Sequence, residues 1–241
     1  MRLDVYLCDS GLTESRTEAK NFILSGAVKV NGNVITKPAF FLEDINVKIE
    51  LDRASKKYVS RGGLKLEAAI EKFKISVSDK LAIDIGASSG GFTDCLLQNG
   101  VKHVVAIDSG TAQLAASLRA NSAVTSIENC TARFLTPSDL PYVPQLAVMD
   151  VSFISATYII PALYLCLSEG ADFICLVKPQ FEVGKANIGK GGIVKDPKHR
   201  QQALEKVIKF AKSVGFICLS SMPSPIQGGD GNIEYLVHLK K

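Results

Sequence analysis

LAIDIGASSGGFTD, residues 81–94, is the stretch of this sequence that decides the fold. Its first five residues, apolar except for Asp84, are typical of a buried strand. Gly86, Gly90 and Gly91 then let the backbone turn tightly and pass close to a ligand as the next helix begins. The stretch therefore predicts a strand, a ligand-binding loop and a helix, in that order.

This loop differs from two familiar phosphate-binding loops. The dinucleotide fingerprint G-x-G-x-x-G would need a glycine at Ser88, and a P-loop would need a Lys-Ser or Lys-Thr pair. The next apolar run ends at Asp108, whose carboxylate can accept both hydroxyls of a nucleoside ribose and suits a nearby sulfonium cation. We therefore expect S-adenosylmethionine as the cofactor. The alternative is a glycine turn kept for packing, with Asp84 capping a helix. The expected cofactor residues are Asp84, Gly86, Ala87, Ser88, Gly90, Gly91, Phe92 and Asp108.

Short apolar runs alternate with helical patterns along the rest of the chain. That rhythm predicts an α/β fold, a mostly parallel sheet with helices on both faces. Ligands bind such sheets beyond the carboxyl ends of the strands, so polar residues at those ends are functional candidates. The runs are residues 81–85, 104–107, 146–149, 173–177 and 216–219, followed by a C-terminal strand at 233–239.

Composition narrows the class of protein. At 46% hydrophobic and 22% charged, the 241 residues can bury one full-sized core and form a smaller second module. The net charge of +4 permits contact with a polyanion without marking a strongly basic nucleic-acid binder. Six single cysteines without a C-x-x-C pair indicate a cytoplasmic protein without zinc. The longest apolar run, residues 158–167, is too short to span a bilayer.

The first sixty residues form a separate pattern. Ser15-Arg16-Thr17-Glu18 has the form of a capping box, so a helix is expected from there to about Leu24. Residues 28–35 alternate around an Asn-Gly pair, which predicts a tight hairpin, and a further strand is expected at 47–51. The polar residues 54–57 indicate a linker. We therefore expect a small domain at 1–57 and a larger one at 58–241.

Two motifs in this segment carry a resemblance. R-L-D-x-x-L from Arg2 and S-R-x-x-A-x-x-x-I-x-x-G-x-V-x-V-N-G from Ser15 resemble the RNA-binding domain first described in ribosomal small-subunit protein four. In that family the helix and hairpin face structured RNA. The resemblance implies phosphate contacts from Arg2, Arg16, Lys20 and Lys29. The alternative is a solvated surface, because acidic residues are interspersed among these four.

Four charged residues of the second domain stand at places suited to a site. Asp150 and Lys178 each follow an apolar strand directly, so the carboxylate and the amine could touch across the cleft. Glu234 lies near the start of the C-terminal strand, after the glycine-rich turn at 228–231. Lys65 is early in a helix, off the apolar stripe that should pack on the sheet. Each alone is equally well explained as a cap or a solvated charge.

Together Lys65, Asp150, Lys178 and Glu234 resemble, in order and context, the Lys-Asp-Lys-Glu tetrad of FtsJ-like ribose 2′-O-methyltransferases. The sequences at 59–66, 150–155, 176–182 and 191–194 resemble the TlyA (haemolysin A) family nearly end to end. Two places depart from that family's pattern. This sequence has Lys56-Lys57-Tyr58-Val59 where the family has an Arg-x-Trp-Val linker. It has Ala112 where the family has a glycine.

The resemblance implies a Rossmann-like class I methyltransferase fold with a seven-stranded sheet. It also implies methyl transfer from S-adenosylmethionine to the 2′-hydroxyl of cytidine in ribosomal RNA. Lys178 would accept the hydroxyl proton or orient its lone pair, and the carboxylates would orient the lysines. Residues 184–195, rich in glycine and lysine, are expected to form a mobile basic loop that holds the RNA.

Three other functions compete with this one. A catalytically silent RNA-binding protein would have a broken tetrad, and all four residues are present. A haemolysin-like membrane-active protein would need a long amphipathic or spanning segment, and none is visible. A pseudouridine synthase with the same N-terminal module would lack the glycine loop at 86–91.

Overall fold

The computed structural model describes residues 1–24, 26–44, 47–52, 57–228 and 231–241, with the backbone alone at residue 24. The chain forms two compact units, Met1–Arg61 and Gly62–Lys241. Of the linker expected at 54–57, residues 54–56 lie outside the described residues. Gly229 and Asp230 of the expected glycine-rich turn lie outside them as well.

The first unit packs two helices against a small antiparallel sheet. The capping box is partly as predicted, because Ser15 Oγ accepts the backbone N–H of Glu18 at 3.1 Å and the helix begins at Arg16. The hairpin turns at Asn31 and Gly32, both with positive φ, and its strands pair antiparallel. The sheet order is β2-β1-β3. Its elements are α1 Leu3–Asp9, α2 Arg16–Leu24, β1 Val28–Val30, β2 Asn33–Val34 and β3 Ile49–Leu51.

The second unit contains the α/β fold that the apolar runs predict. The five predicted runs before the C-terminal strand each begin within one residue of an observed strand. Its strands are β4 Leu81–Ile85, β5 His103–Ile107, β6 Val124–Ile127, β7 Leu146–Met149, β8 Asp172–Val177, β9 Ile217–Pro223 and β10 Tyr235–Lys240. Its helices are α3 Gly62–Phe73, α4 Gly91–Gln98, α5 Ala116–Arg119, α6 Ile160–Cys166, α7 Pro179–Glu182 and α8 Pro197–Val214.

The seven strands form one sheet in the order β6-β5-β4-β7-β8-β10-β9. The strands β4 to β8 run parallel to one another, and β10 is antiparallel to both β8 and β9. The chain leaves β4 to build outward on one side and later returns to place β7 on the other. The carboxyl ends of β4, β5 and β7 therefore meet at one edge, where the strand order reverses.

Alternation along the strands assigns the helices to two faces. Ile83 and Ile85 belong to the core cluster that includes residues of α6 and α8. The residue between them, Asp84, points the other way and meets Thr93 of α4. On that second face the ring of His238 on β10 stacks on Phe73 of α3 at 5.5 Å. The sheet is thus covered on both sides, which explains why its strands are nearly continuous apolar runs.

No helix in the part of the chain that the structure describes has the length and apolar character needed to cross a membrane.

Candidate active site

A cavity of about 440 Å³ opens where the strand order reverses. This volume falls in the range of roughly 300–1,000 Å³ that is usual for small-molecule sites. Of the residues predicted to bind cofactor, Gly86, Ser88 and Asp108 line it, and Asp150 of the predicted tetrad lines it too. The structure thus brings the end of β4, the end of β5 and the end of β7 around one space.

Gly86 turns the chain at the base of this cavity. Its φ is +79°, a conformation that disfavours residues with a side chain, and its N–H donates to Ile107 O at 2.8 Å. A Cβ at this position would lie 2.5 Å from the carbonyl oxygen of Asp150. The turn is therefore pressed against the end of β7, and only glycine fits there.

Asp108 is fixed by two backbone amides. Its Oδ2 accepts the N–H of Ser88 at 2.7 Å, and its Oδ1 accepts the N–H of Gly110 at 2.7 Å. Each carboxylate oxygen keeps further acceptor capacity, which ribose hydroxyls can use. The bond to Ser88 also ties the glycine loop after β4 to the end of β5.

Asp84 lies buried beneath the loop. Its Oδ2 accepts the hydroxyl of Thr93 at 2.6 Å, whereas its Oδ1 has no hydrogen-bond partner among the described residues. Burial raises the pKa of Asp84 to about 7, against the hydrogen bonds from Thr93 and with added repulsion from Asp150 and Asp108. A buried carboxyl group with one unsatisfied oxygen lies next to a nucleoside-sized cavity.

The remaining predicted cofactor residues shape the loop without lining the cavity. Gly90 precedes α4 with φ +96°, and a Cβ there would lie 2.2 Å from Leu118 Cδ1. Phe92 is buried, as are Ala87 and Gly91. Direct contact of these four with a cofactor stays a prediction.

Three residues that the sequence analysis did not single out complete the cavity wall. Cys130, Thr131 and Ala132 follow β6 and line the cavity together with Asp150 and Val151. They were not predicted because β6 itself was missed. Its sequence, Val-Thr-Ser-Ile, is short, half polar and only partly buried at the sheet edge.

The residues present fit S-adenosylmethionine. Asp108 and Asp150 line the cavity at the ends of β5 and β7, and these two carboxylates suit a ligand with cationic sulfonium and ammonium groups. Asp108 would offer acceptors to the ribose hydroxyls, and Asp84 Oδ1, an acceptor without a partner among the described residues, lies buried behind the loop. Gly86 provides the close backbone approach.

The raised pKa of Asp84 predicts an unusual pH dependence of stability. The folded protein keeps a proton that the unfolded chain releases as pH rises from about 4 to 7, so folding stability falls across that window. Asp84→Asn cannot ionise and should escape this loss. We expect the cofactor-free variant to be more stable than wild type at pH 8, by roughly 2–4 kcal/mol, and to keep less than half of that gain at pH 5. Thermal melting at both pH values measures it, and an equal difference at both would contradict it.

Two short ion pairs stand beside the cavity. Lys178 Nζ lies 2.6 Å from Asp150 Oδ1 and donates to Ser152 Oγ at 2.8 Å. Lys65 Nζ donates to Glu234 Oε2 at 2.6 Å, with both side chains nearly inaccessible to solvent. The contact that the sequence predicts between Asp150 and Lys178 is present.

The strand register brings the two pairs close to each other. Tyr235 on β10 pairs with Val177 on β8, so Glu234 and Lys178 directly flank a paired position on neighbouring strands. Lys65 reaches Glu234 from α3, which packs on this face of the sheet. The structure thus assembles all four predicted tetrad residues at the carboxyl ends of β7 and β8 and beside the start of β10.

The predicted RNA contacts in the first unit form two groups. Arg2 donates to both oxygens of Asp4, at 2.9 and 3.0 Å, and Arg16 lies 3.5 Å from the same carboxylate. Asp4 is fully buried, whereas both arginine side chains are about half exposed. Lys20 and Lys29 are exposed. In the sequence Asp4 was one of the acidic residues that favoured a solvated, nearly neutral surface. In the structure it is buried and fixes the guanidinium groups of Arg2 and Arg16.

The glycine-rich loop at 184–195 is anchored at its far end. Asn232 is buried, and its side-chain oxygen accepts the N–H of Val194 at 2.9 Å while its amide donates to Gly192 O at 3.0 Å. Asn232 lies two residues before Glu234. The end of this loop is therefore tied to the strand that carries part of the tetrad.

Ala112 is one of the two departures from the family pattern. Its φ is +52°, and its N–H donates to Glu128 Oε2 at 2.7 Å. A left-handed conformation disfavours alanine and suits the glycine that the family pattern has there. The substitution keeps the turn at a cost in strain.

Comparison with known proteins gives matches over both parts of the chain. Residues 58–241 match the family model described as FtsJ-like methyltransferase, and residues 1–44 match the S4 domain. The 16S/23S rRNA (cytidine-2′-O)-methyltransferase TlyA of Mycobacterium tuberculosis is 41% identical over 239 residues, 99% of this chain and 89% of that protein. Hemolysin A of Brachyspira hyodysenteriae is 44% identical over 99% of each chain.

A solved structure adds to the comparison of folds. Fibrillarin from Aeropyrum pernix, solved with natively bound S-adenosyl-L-methionine, matches with a TM-score of 0.55 at 12% identity. The match covers 81% of this chain and 80% of that one. At this identity the likeness concerns the fold alone.

Proposed function

This chain belongs to the FtsJ-like methyltransferase family, and we propose that it methylates the ribose 2′-hydroxyl of cytidine in ribosomal RNA, with S-adenosylmethionine as the methyl donor. The observation that carries the proposal is the pair Lys178–Asp150, 2.6 Å apart beside the cofactor-sized cavity. The relative from M. tuberculosis, named for cytidine 2′-O-methylation of 16S and 23S rRNA, supports the choice of acceptor.

Lys178 is the proposed catalytic residue. When bound, the cofactor would supply an electrophilic methyl group, whose bond to sulfur breaks as its bond to the acceptor oxygen forms, leaving a neutral thioether. The acceptor hydroxyl must lose its proton. Lys178 Nζ, held by Asp150 and Ser152, either takes this proton or donates a hydrogen bond that aims the oxygen lone pair. Asp150 keeps the Lys178 amine in place during methyl transfer and loss of the hydroxyl proton.

Lys65 and Glu234 are the proposed supporting pair. The buried carboxylate of Glu234 neutralises Lys65 and fixes it next to the strand position that Lys178 follows. A lone buried charge there would be strongly unfavourable, so the two residues act as a unit. Together they fix the electrostatic surroundings of the acceptor hydroxyl.

We assign RNA binding to residues 1–57 and catalysis to residues 58–241. Arg2 and Arg16, held by Asp4, and the exposed Lys20 and Lys29 supply donors for phosphate oxygens. The basic loop at 184–195, anchored through Asn232, is the proposed contact to the RNA near the acceptor. We place this methylation in the cytoplasm, where ribosomal RNA is found.

Methyl transfer from labelled S-adenosylmethionine tests this function. The acceptors are small subunits, large subunits and deproteinised ribosomal RNA from cells lacking the gene, with total transfer RNA as the control acceptor. We expect label in at least one ribosomal RNA and none in transfer RNA. Absence of label from every ribosomal acceptor would contradict the proposal and favour an RNA-binding protein without catalysis.

A further inference from the structure

We propose that Glu182 is a positioning residue for methyl transfer, which holds residues 150–156 in the shape that lets Lys178 act. The inference rests on the proposed function and deepens it. Glu182 is the last residue of α7, the short helix that directly follows Lys178. It does not face the cofactor cavity, so its effect passes through the segment that it binds.

Residues at the two ends of α7 contact the two ends of the segment 150–156. At its start, Lys178 Nζ contacts Asp150 Oδ1 at 2.6 Å and Ser152 Oγ at 2.8 Å. At its end, four residues on, Glu182 Oε2 accepts the hydroxyl of Ser155 at 2.6 Å, and its Oε1 accepts the N–H of Ala156 at 2.7 Å. One helical turn thus determines the distance between the two ends of the segment.

The carboxylate of Glu182 is desolvated and fully engaged. Its side chain is 2% exposed, and Lys206 Nζ on α8 lies 3.2 Å from Oε2 while also donating to Glu182 O at 2.9 Å. Burial of a carboxylate is unfavourable unless several hydrogen bonds and a cation compensate. Here every compensating bond goes to the segment or to α8, which makes the carboxylate a rigid brace between them.

The backbone is strained between the contacts made by Lys178 and those made by Glu182. Phe153 has φ +64°, is 92% exposed and has its ring 5.3 Å from that of Phe181 on α7. A bulky residue persists in the left-handed region only where its surroundings enforce it. The bonds of Glu182 beyond Phe153 and those of Lys178 before it supply that constraint. Without Glu182 the segment relaxes, and Ser152 and Asp150 move away from Lys178.

Kinetics of Glu182→Ala and Glu182→Gln test the inference, with Glu205→Ala as the matched control. Glu205 is an exposed glutamate on α8 that accepts only a hydrogen bond from Gln201 in the described contacts. Glu182→Ala removes hydrogen bonds to a charged group, so kcat should fall roughly 10–100-fold at saturating cofactor. Cofactor Kd should stay within about threefold. Glu182→Gln keeps a carbonyl acceptor for Ala156 and should recover most of kcat.

Each other result counts against the inference. Wild-type kcat in Glu182→Ala, a glutamine variant as slow as the alanine variant, or cofactor binding lost in parallel with kcat would overturn it. If Glu182→Ala fails to fold, Ser155→Ala removes one bond to the carboxylate, together with the hydrogen bonds of Ser155 Oγ with Thr157, and should lower kcat about 3–10-fold. Wild-type kcat in that variant would also overturn the inference. An inactive wild-type protein would instead refute the proposed function.

Discussion

Replacing Lys178 with alanine is expected to lower kcat for methyl transfer by roughly 10²–10⁴-fold, the usual contribution of a positioned proton-transfer group. Lys178 Nζ is the amine that contacts Asp150 and Ser152, two residues that line the cavity. Because the lysine does not line the cavity itself, cofactor Kd should change little. Single-turnover transfer to ribosomal RNA and calorimetric titration with the cofactor measure the two quantities.

Lys209→Ala is the matched control for this variant. Lys209 is exposed on α8 and should leave both kcat and cofactor Kd at wild-type values. A Lys178→Ala protein that folds, binds cofactor and retains more than about a tenth of wild-type kcat would contradict the catalytic assignment, since a group with that role contributes more than tenfold. Loss of activity through Lys209→Ala would point to a nonspecific effect of removing positive charge.

Replacing Gly86 with alanine is expected to weaken cofactor binding by about 100-fold or more, which corresponds to about 2.7 kcal/mol. The new Cβ would lie 2.5 Å from the carbonyl oxygen of Asp150, which belongs to the backbone and has little room to move. Positive φ adds strain at the same residue. Relief of the clash separates the loop after β4 from the end of β7, and these form two walls of the cavity.

Gly100→Ala separates the two causes. Gly100 has φ +81°, close to the φ of Gly86, but the nearest atom to a Cβ there is Ser78 Oγ at an ordinary 3.5 Å. The control should lose about 1 kcal/mol of stability through conformation alone and bind cofactor normally. Equal cofactor affinity in Gly86→Ala and Gly100→Ala would show that close packing at the loop is unimportant for binding.

The site was predictable where function coincides with the ends of strands. Asp108, Asp150 and Lys178 each follow an apolar run directly, and parallel strands bring such ends together. Lys65 comes from an α-helix and Glu234 directly precedes the antiparallel β10, and no local pattern places them in contact. The sequence identified those two through the order of the tetrad, and the packing of α3 on β10 explains their meeting.

The rest depended on contacts that sequence patterns do not carry. Residues 130–132 were missed because β6 is a short, partly buried edge strand with no apolar alternation. Asp4 was counted as surface charge, although burial makes it the anchor of Arg2 and Arg16. Glu182 stood in the quoted motif at 176–182, but its partners lie 26 and 27 residues away. Only the folded chain reveals that they meet.

The position of the transferred methyl group on the nucleoside tests the account most directly. Ribosomal RNA labelled by the wild-type protein is digested to nucleosides and separated by mass spectrometry, with RNA treated by Lys178→Ala as the reference. The account predicts 2′-O-methylcytidine that forms with the wild-type protein and is absent, or nearly so, with the variant. Methyl groups found on a base would contradict the assignment of the Lys178–Asp150 pair to a ribose hydroxyl.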